Sequence, residues 1–367
     1  MGFIRMTYNF IGALINLIAG AALIFASYSH KLSPEDFYYT TYLSLAFPII
    51  LAVNAVLLLF WIIQWNKVGI ITVAALVISS GSIFLYSPLH IIPAKAESAD
   101  TLSVMTYNVH YFGQLIPHKP GSPNPVIEYI KKENADIVCL QEYAYGFNKK
   151  FLQSEDIDTA FAKVYPYRKV WLKDNAYSAA GVACLSKYPI TDSEELFPEK
   201  EINGASLYRI SIGDRKLALL VNHLESNKLS IEDRSFFNYL TKHIEETDTL
   251  LPEVKKHLAW KLTAASRIRA SQADVIAEKI KELGEDVIVC GDFNDTPQSY
   301  VYSKIRGELG DAYAKTGTGP GITYNADRFY FRIDHILYGK GLRPIYTKIG
   351  DIKDSDHYPL KALFEWK

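Results

Sequence analysis

The stretch Val287-Ile288-Val289-Cys290-Gly291-Asp292-Phe293-Asn294-Asp295 decides how the rest of the chain is read. An unbroken apolar run reads as a buried strand, which stops at a glycine and then presents a carboxylate and a carboxamide. In an extended chain residues i and i+2 point to the same side, so Asp292 and Asn294 are expected to project together from the strand's end. That donor pair suits a hard cation such as magnesium, or the orientation of water and phosphate, and not zinc or copper. Alone, Gly291-Asp292 would equally open an ordinary turn.

Moving outward, other strand candidates end in the same way. Leu102–Asn108 ends in Asn108, the run through Ile137–Gln141 leads to Glu142, and Lys216–Asn222 leads to His223. Asp334 lies in Arg332-Ile333-Asp334-His335, and Asp356 and His357 follow Ser355. Each has a bland alternative: a cap at Glu142, a hydrogen-bonded core histidine at His223, a turn at Ser355-Asp356. Together they place hard ligands, imidazoles and amides at strand ends, where a rigid scaffold gathers catalytic groups. Further strands are expected at Gly181–Ser186, Ser206–Ser211, Asp286–Cys290, Ile333–Tyr338 and Leu360–Glu365, with helices at Val126–Glu133 and Pro252–Leu283. Strands of alternating and continuous apolar type, interspersed with helices, predict a mixed α/β sandwich of about 270 residues.

The front of the chain is different. Phe10 to Tyr28, Leu43 to Ile63 and Val68 to Tyr86 are apolar and carry no charged residue. Each is about the ~20 residues that a helix needs to cross a bilayer. Three transmembrane helices are expected (about 8–28, 40–63 and 68–87), with Pro48 tolerated as a kink. A cleaved signal peptide is the competing reading of the first. Residues 91–100 read as a polar linker and 101–367 as a separate α/β domain. Arg5 and Lys67 place the N-terminus and the second turn inside, against Lys31 in the other loop. Three spans then put the domain on the outer, extracytoplasmic side of a bacterial-type plasma membrane.

Charge limits the partners. Of 39 basic and 40 acidic side chains, three and two precede residue 95, which leaves the remainder at a net charge of −2. That is no footprint for tight binding to a polyanion. Cys139, Cys184 and Cys290 each fall in an apolar run and read as buried free thiols.

Thr-Tyr-Asn108, Leu-Gln-Glu142, His223-Leu-Glu, Gly-Asp292-Phe-Asn294, Arg-Ile-Asp334 and Ser-Asp356-His357 resemble, in order and spacing, the endonuclease/exonuclease/phosphatase superfamily. Gly181-Val-Ala-Cys-Leu-Ser-Lys-Tyr-Pro189 and Arg269 with Gln272 add to the likeness, which covers roughly residues 100 to 367. The resemblance implies a DNase-I-like four-layer α/β sandwich, two mixed sheets flanked by helices. It also implies magnesium-dependent (or manganese-dependent) phosphoester hydrolysis. Glu142 would be the principal metal ligand, supported by Asn108 and Asp356. His357, oriented by Asp334, would position the attacking water, with Asp292 as second candidate. Asn294 would hold water or a phosphate oxygen, and His223 would donate to a phosphate oxygen or the leaving group. Asn108, His223 and Asn294 would thus touch substrate.

A histidine at 223 fits the deoxyribonuclease, sphingomyelinase and phosphatase branches. The carboxylate that partners it in the nucleases is absent from Tyr177-Ser178-Ala179-Ala180-Gly181. A lipid head group or similar small phosphoester at the membrane is therefore the expected substrate, with DNA or RNA hydrolysis as the alternative and a catalytically silent scaffold as a third reading. Residues 226–271 are expected as a helical excursion or a lid, and Asp327–Arg332 as part of a membrane-facing rim.

Overall fold

The computed structural model describes residues 2–91, 94–98, 100–174, 177–197, 203–227, 251–284, 286–326 and 329–367. Two six-stranded mixed sheets face each other. The first runs β13 (Leu342–Ile349), β14 (Leu360–Trp366), β1 (Thr101–Asn108), β2 (Ile137–Gly146), β4 (Ser178–Ser186) and β3 (Tyr167–Asp174). The second runs β5 (Ile190–Glu195), β6 (Gly204–Ile212), β7 (Arg215–His223), β8 (Val287–Asp292), β12 (Asp334–Tyr338) and β9 (Gly310–Asp311). A separate ribbon pairs β10 (Tyr324–Ala326) with β11 (Phe329–Phe331).

Within each sheet one parallel pair sits among antiparallel neighbours: β1 with β2, and β7 with β8. Strands buried on both faces read as continuous apolar runs, and β8 is buried at every position. The facing sides interlock through Val104, Cys139, Cys184, Leu219, Cys290 and Phe364. All three cysteines are thus buried in or beside this layer and free.

Helices cover the outer faces. On the first sheet, Val126, Ile127 and Ile130 of the Pro125–Glu133 helix and Ile157 and Phe161 of the Ser154–Phe161 helix join one core. Asn124 caps the former, its side chain accepting from the N–H groups of Val126 and Ile127. On the second sheet, Ala273 and Ile276 of the Leu251–Lys281 helix pack with Val301, Tyr302 and Ile305 of the Tyr300–Arg306 helix.

The N-terminal region contains two unbroken helices, α1 (Gly2–Tyr28) and α2 (Tyr39–Ile63), both long and apolar enough to cross a membrane. The third expected span is divided into α3 (Gly69–Ile78) and α4 (Ser80–Tyr86), bent by 68°. The break falls at Ser79-Ser80-Gly81-Ser82, weak helix formers whose hydroxyls compete for the backbone, so apolarity alone overstated this helix. Polar groups join the helices inside: Asn54 Nδ2 donates to the Ala19 carbonyl at 3.0 Å, and Thr72 Oγ1 to Asn16 Oδ1.

This bundle is docked on the sandwich. Tyr42 Oη donates to the Ala259 carbonyl and Thr41 Oγ1 to Ser266 Oγ, both at 2.8 Å, on the Leu251–Lys281 helix. Gln298 Nε2 donates to the Ser82 carbonyl at 3.2 Å, and Arg332 Nη2 to the Leu85 carbonyl. The Leu85 carbonyl falls in the last turn of α4, where carbonyls lack helical partners, and Arg332 meets it. Residues 228–250 of the expected lid, and positions 327 and 328 of the expected rim, lie outside the described residues.

Candidate active site

The C-terminal ends of the two parallel pairs lie on one edge, where ligands collect in α/β sheets. In the second sheet the register lines up three polar side chains in one row. His223 is opposite Asp292 across the β7–β8 pair, and Asp292 is opposite Asp334 across β8–β12. Gly291 makes this possible: its φ is +131°, and a Cβ there would stand 2.0 Å from the Asn222 carbonyl oxygen.

Asp292 and Asn294 do converge, but not by strand alternation. Asn294 has φ +51°, and its backbone N–H donates to Asp292 Oδ1 at 2.8 Å. An Asx-type turn at the end of the strand therefore brings the pair together. Asn294 Nδ2 also donates to Asp292 Oδ2 at 3.3 Å and to the Leu224 carbonyl at 3.0 Å.

In the first sheet, the register of β2 against β4 shifts between Leu140 and Tyr143, and Glu142 sits in this bulge with φ +52°. The bulge re-aims a side chain that regular pleating would have fixed. Glu142 Oε1 accepts from Asn108 Nδ2 at 3.2 Å and lies 3.8 Å from His223 Nε2. Asn108 Nδ2 donates as well to Asp292 Oδ2 at 3.1 Å, so one carboxamide bridges the two sheets.

His357 arrives on the segment before β14. Ser355 Oγ donates to the Asn108 carbonyl at 2.8 Å and accepts from the His357 N–H at 3.1 Å. His357 Nδ1 lies 2.8 Å from Asp334 Oδ2, and its Nε2 is 3.7 Å from Asp292 Oδ2. The Asp334 N–H is held by Thr323 Oγ1 at 3.1 Å. Asn108, Glu142, His223, Asp292, Asn294, Asp334 and His357 thus form one connected constellation. Asp356 joins it through its charge, which acts on Glu142 and on His357.

Burial works to lower the pKa of His357, but the carboxylates of Asp334 and Asp292 outweigh it and hold the ring up at about 10. At neutral pH the ring is then a cation, fitted to stabilise negative charge and not to accept a proton. Asp292 is pushed up to about 6, by burial first and opposed by the charge of His357. A carboxylate poised near neutrality suits Asp292 as a candidate for activating water.

Glu142 is raised by burial and then by the charge of Asp356. Two mutually repelling carboxylates with hard oxygen donors fit a divalent cation. Asp292, Asp334 and His357 also offer ligand atoms within 4.8 Å of one another. There a cation would have to displace the proton that His357 holds between two carboxylates, so the Glu142–Asp356 side fits better. Asn108 fits the metal role less well. Its Oδ1 accepts from the His110 N–H at 3.1 Å, and the group it turns to Glu142 is a donor.

Sequence reasoning missed the segment after β1. His110, Tyr111, Phe112, Gln114 and Leu115 all have positive φ, as does Gly113, forming a left-handed turn. Such a turn costs roughly 1–2 kcal/mol per non-glycine residue. It is held by Asn124 Nδ2, which donates to the Phe112 and Ile116 carbonyls, and by buried Phe112 against Tyr143. The turn sets His110 Nδ1 3.7 Å from Asp356 Oδ1. A single Gly in His110–Leu115 gave no signal for it. Arg269 and Gln272 support the site from behind. Arg269, 2% exposed, donates to the Glu225 carbonyl at 2.8 Å and lies 3.4 Å from Asp295, while Gln272 Oε1 accepts from the Glu225 N–H.

A family model described as "Endonuclease/Exonuclease/phosphatase family" matches residues 105–357, and one described as a domain of unknown function matches residues 8–86. No curated protein matches the chain. An endonuclease/exonuclease/phosphatase from Beutenbergia cavernae superposes with a TM-score of 0.51 at 15% identity, over 73% of this chain and 72% of that one. Sphingomyelinase C from Streptomyces griseocarneus gives 0.42 at 18%, over 71% and 98%. TDP2 of D. rerio complexed with a single-strand DNA product gives 0.46 at 18%, over 72% and 99%.

Proposed function

The chain belongs to the endonuclease/exonuclease/phosphatase family of metal-dependent phosphoester hydrolases, and from that premise we propose that it cleaves a lipid head group or a similar small phosphoester at the outer membrane surface. The observation that carries the reading is the joining of both sheets at one edge, Asn108 bridging Glu142 and Asp292, beside the apolar helices that hold the domain at a bilayer.

Glu142 and Asp356 would hold the divalent cation, magnesium or manganese, which when bound polarises a phosphoryl oxygen and offsets charge on the leaving oxygen. Asp292 accepts the proton of the attacking water, which Asn294 helps to position. His357, kept cationic and oriented by Asp334, stabilises charge on the phosphoryl group. His223 lies on the Glu142 side and donates toward the leaving group. In-line displacement needs both water activation and leaving-group support, the roles this reading gives to Asp292 and His223. Glu142 Oε1 lies 3.8 Å from His223 Nε2, which supports His223 acting on the metal-facing side. Net charge near zero also favours a small ester over a polyanion. If the bent α3–α4 pair counts as a third span, the Arg5/Lys67 bias supports an outward-facing domain.

The test is a substrate panel on the full chain with magnesium: phosphodiester lipids in vesicles, a small aryl phosphodiester and supercoiled plasmid. Release of a water-soluble phosphorylated head group supports the proposal. Plasmid nicking without lipid turnover would move the substrate to nucleic acid.

A further inference from the structure

Away from the catalytic edge, a cavity of about 250 Å³ opens where α1 ends and the bent α3–α4 segment meets the sandwich. Its lining includes Tyr28, His30, Ile78 and Leu85 from the apolar helices, and Tyr302 and Arg306 from the Tyr300–Arg306 helix. It is smaller than the roughly 300–1,000 Å³ of a typical small-molecule pocket, so a compact polar group suits it better.

Its two walls differ in chemistry. On one, His30 and Arg306 come together, and the charges of both Lys31 and Arg306 act on His30. Arg306 lies over the Tyr302 ring and Lys31 over the Tyr28 ring, at 5.9 Å and 5.0 Å. Among the described residues, neither is paired with a carboxylate. His30 Nδ1 lies 2.9 Å from the Ser27 carbonyl, which fixes the proton on Nδ1 and leaves Nε2 to take one when an anion arrives. The other wall is apolar: Ile78 and Leu85 line it, and Phe25, Ile78 and Phe84 are about half exposed or more. Tyr28 Oη donates to the Ile78 carbonyl at 3.0 Å and ties the walls together. The cavity also lies at the end of the span candidate Phe3–Lys31, the depth at which head groups of a bilayer would sit.

We propose that this cavity binds the phosphate-bearing head group of an anionic phospholipid, with Arg306, Lys31 and His30 around the phosphate and the Ile78–Leu85 wall taking the first methylenes of its acyl chains. Cations that lack acidic partners at a membrane surface attract such lipids, and apolar contact beside them distinguishes a lipid from a free anion. The proposal rests on the reading that α1 and α2 lie in a bilayer, and is independent of the catalytic one. A bound lipid would brace the Tyr300–Arg306 helix, which follows the loop carrying Asn294 and Gln298.

The test uses the full chain, reconstituted in vesicles of phosphatidylcholine with graded phosphatidylglycerol, then extracted in detergent and weighed by native mass spectrometry. Wild type should retain phosphatidylglycerol in preference to phosphatidylcholine. Arg306→Gln should lower that retention roughly fivefold, while Arg306→Lys keeps most of it and Lys131→Gln, on the helix that covers the outer face of the other sheet, changes nothing. Unchanged melting temperatures separate lost binding from lost folding, and the Arg306→Lys comparison stands if Arg306→Gln is unstable. Equal retention by Arg306→Gln and wild type would overturn the proposal, as would displacement of the lipid by millimolar inorganic phosphate. Failure to float with phosphatidylcholine vesicles would overturn the membrane reading, and the lipid site with it, without touching phosphoester turnover.

Discussion

Asp292 accepts from the Asn294 backbone and from the carboxamides of Asn108 and Asn294, and it lies 3.7 Å from His357. Asp292→Asn keeps the shape and removes the proton acceptor. Turnover should fall by about 10²–10⁴-fold with little change in KM, read by steady-state kinetics. His335, next to Asp334, has another task. It is buried against Phe293 and Tyr302, its Nε2 is 3.0 Å from the Asp295 carbonyl, and burial lowers its pKa to about 4. Its unfolded form titrates near 6.5, so between these values the unfolded state binds more protons and stability falls as pH falls. The full effect is on the order of 3 kcal/mol. Buried Asp292 and Glu142, raised in the folded state, act in the opposite direction. Relative to wild type, a His335→Gln chain should therefore lose less melting temperature, or gain some, as pH falls from 6.5 to 4. Parallel curves would refute this role. At this scale the side chains that the fold brings together were legible in the sequence, because polar groups closing apolar runs stand out. It could not give their protonation, since burial and the combined charge of Asp334 and Asp292 on His357 exist only in the folded packing.

Strands and turns deliver those side chains. Gly291 sets how close β8 approaches β7, so Gly291→Ala, whose Cβ would meet the Asn222 oxygen at 2.0 Å, should separate His223 from Asp292. A loss of more than about 2 kcal/mol in urea unfolding, together with lost activity, is expected. Wild-type stability in that variant would contradict the packing described. Core strands and the Leu251–Lys281 helix were legible because burial imposes a period on them. The edge strands β3, β5 and β13 were not. Tyr167–Asp174 carries Arg168, Lys169 and Lys173 and has no fully buried position, and Leu342–Ile349 carries Pro344 beside a register shift, the marks of protected edges. The left-handed turn at His110–Leu115 was invisible for a related reason: Asn124 and Phe112 impose it from outside the segment.

For the whole molecule, the bundle and the sandwich share hydrogen bonds next to the catalytic loops. Arg332, 3% exposed and two residues before Asp334, donates to Leu85, and Gln298 donates to Ser82. A fragment of residues 97–367 loses both partners. It should melt several degrees below the full chain by calorimetry and turn over more slowly, whereas equal melting and turnover would show a passive anchor. The apolar stretches announced the bundle from composition, but its bend at Ser79 and its docking depend on contacts between distant segments. The most direct test of the account is hydrolysis of a phosphodiester substrate by the full chain with magnesium, compared with excess chelator and with Glu142→Gln. The account predicts loss of turnover with chelator, restoration by added magnesium, and a drop on the order of 100-fold or more in Glu142→Gln. Undiminished turnover in chelator, or by Glu142→Gln, would contradict it.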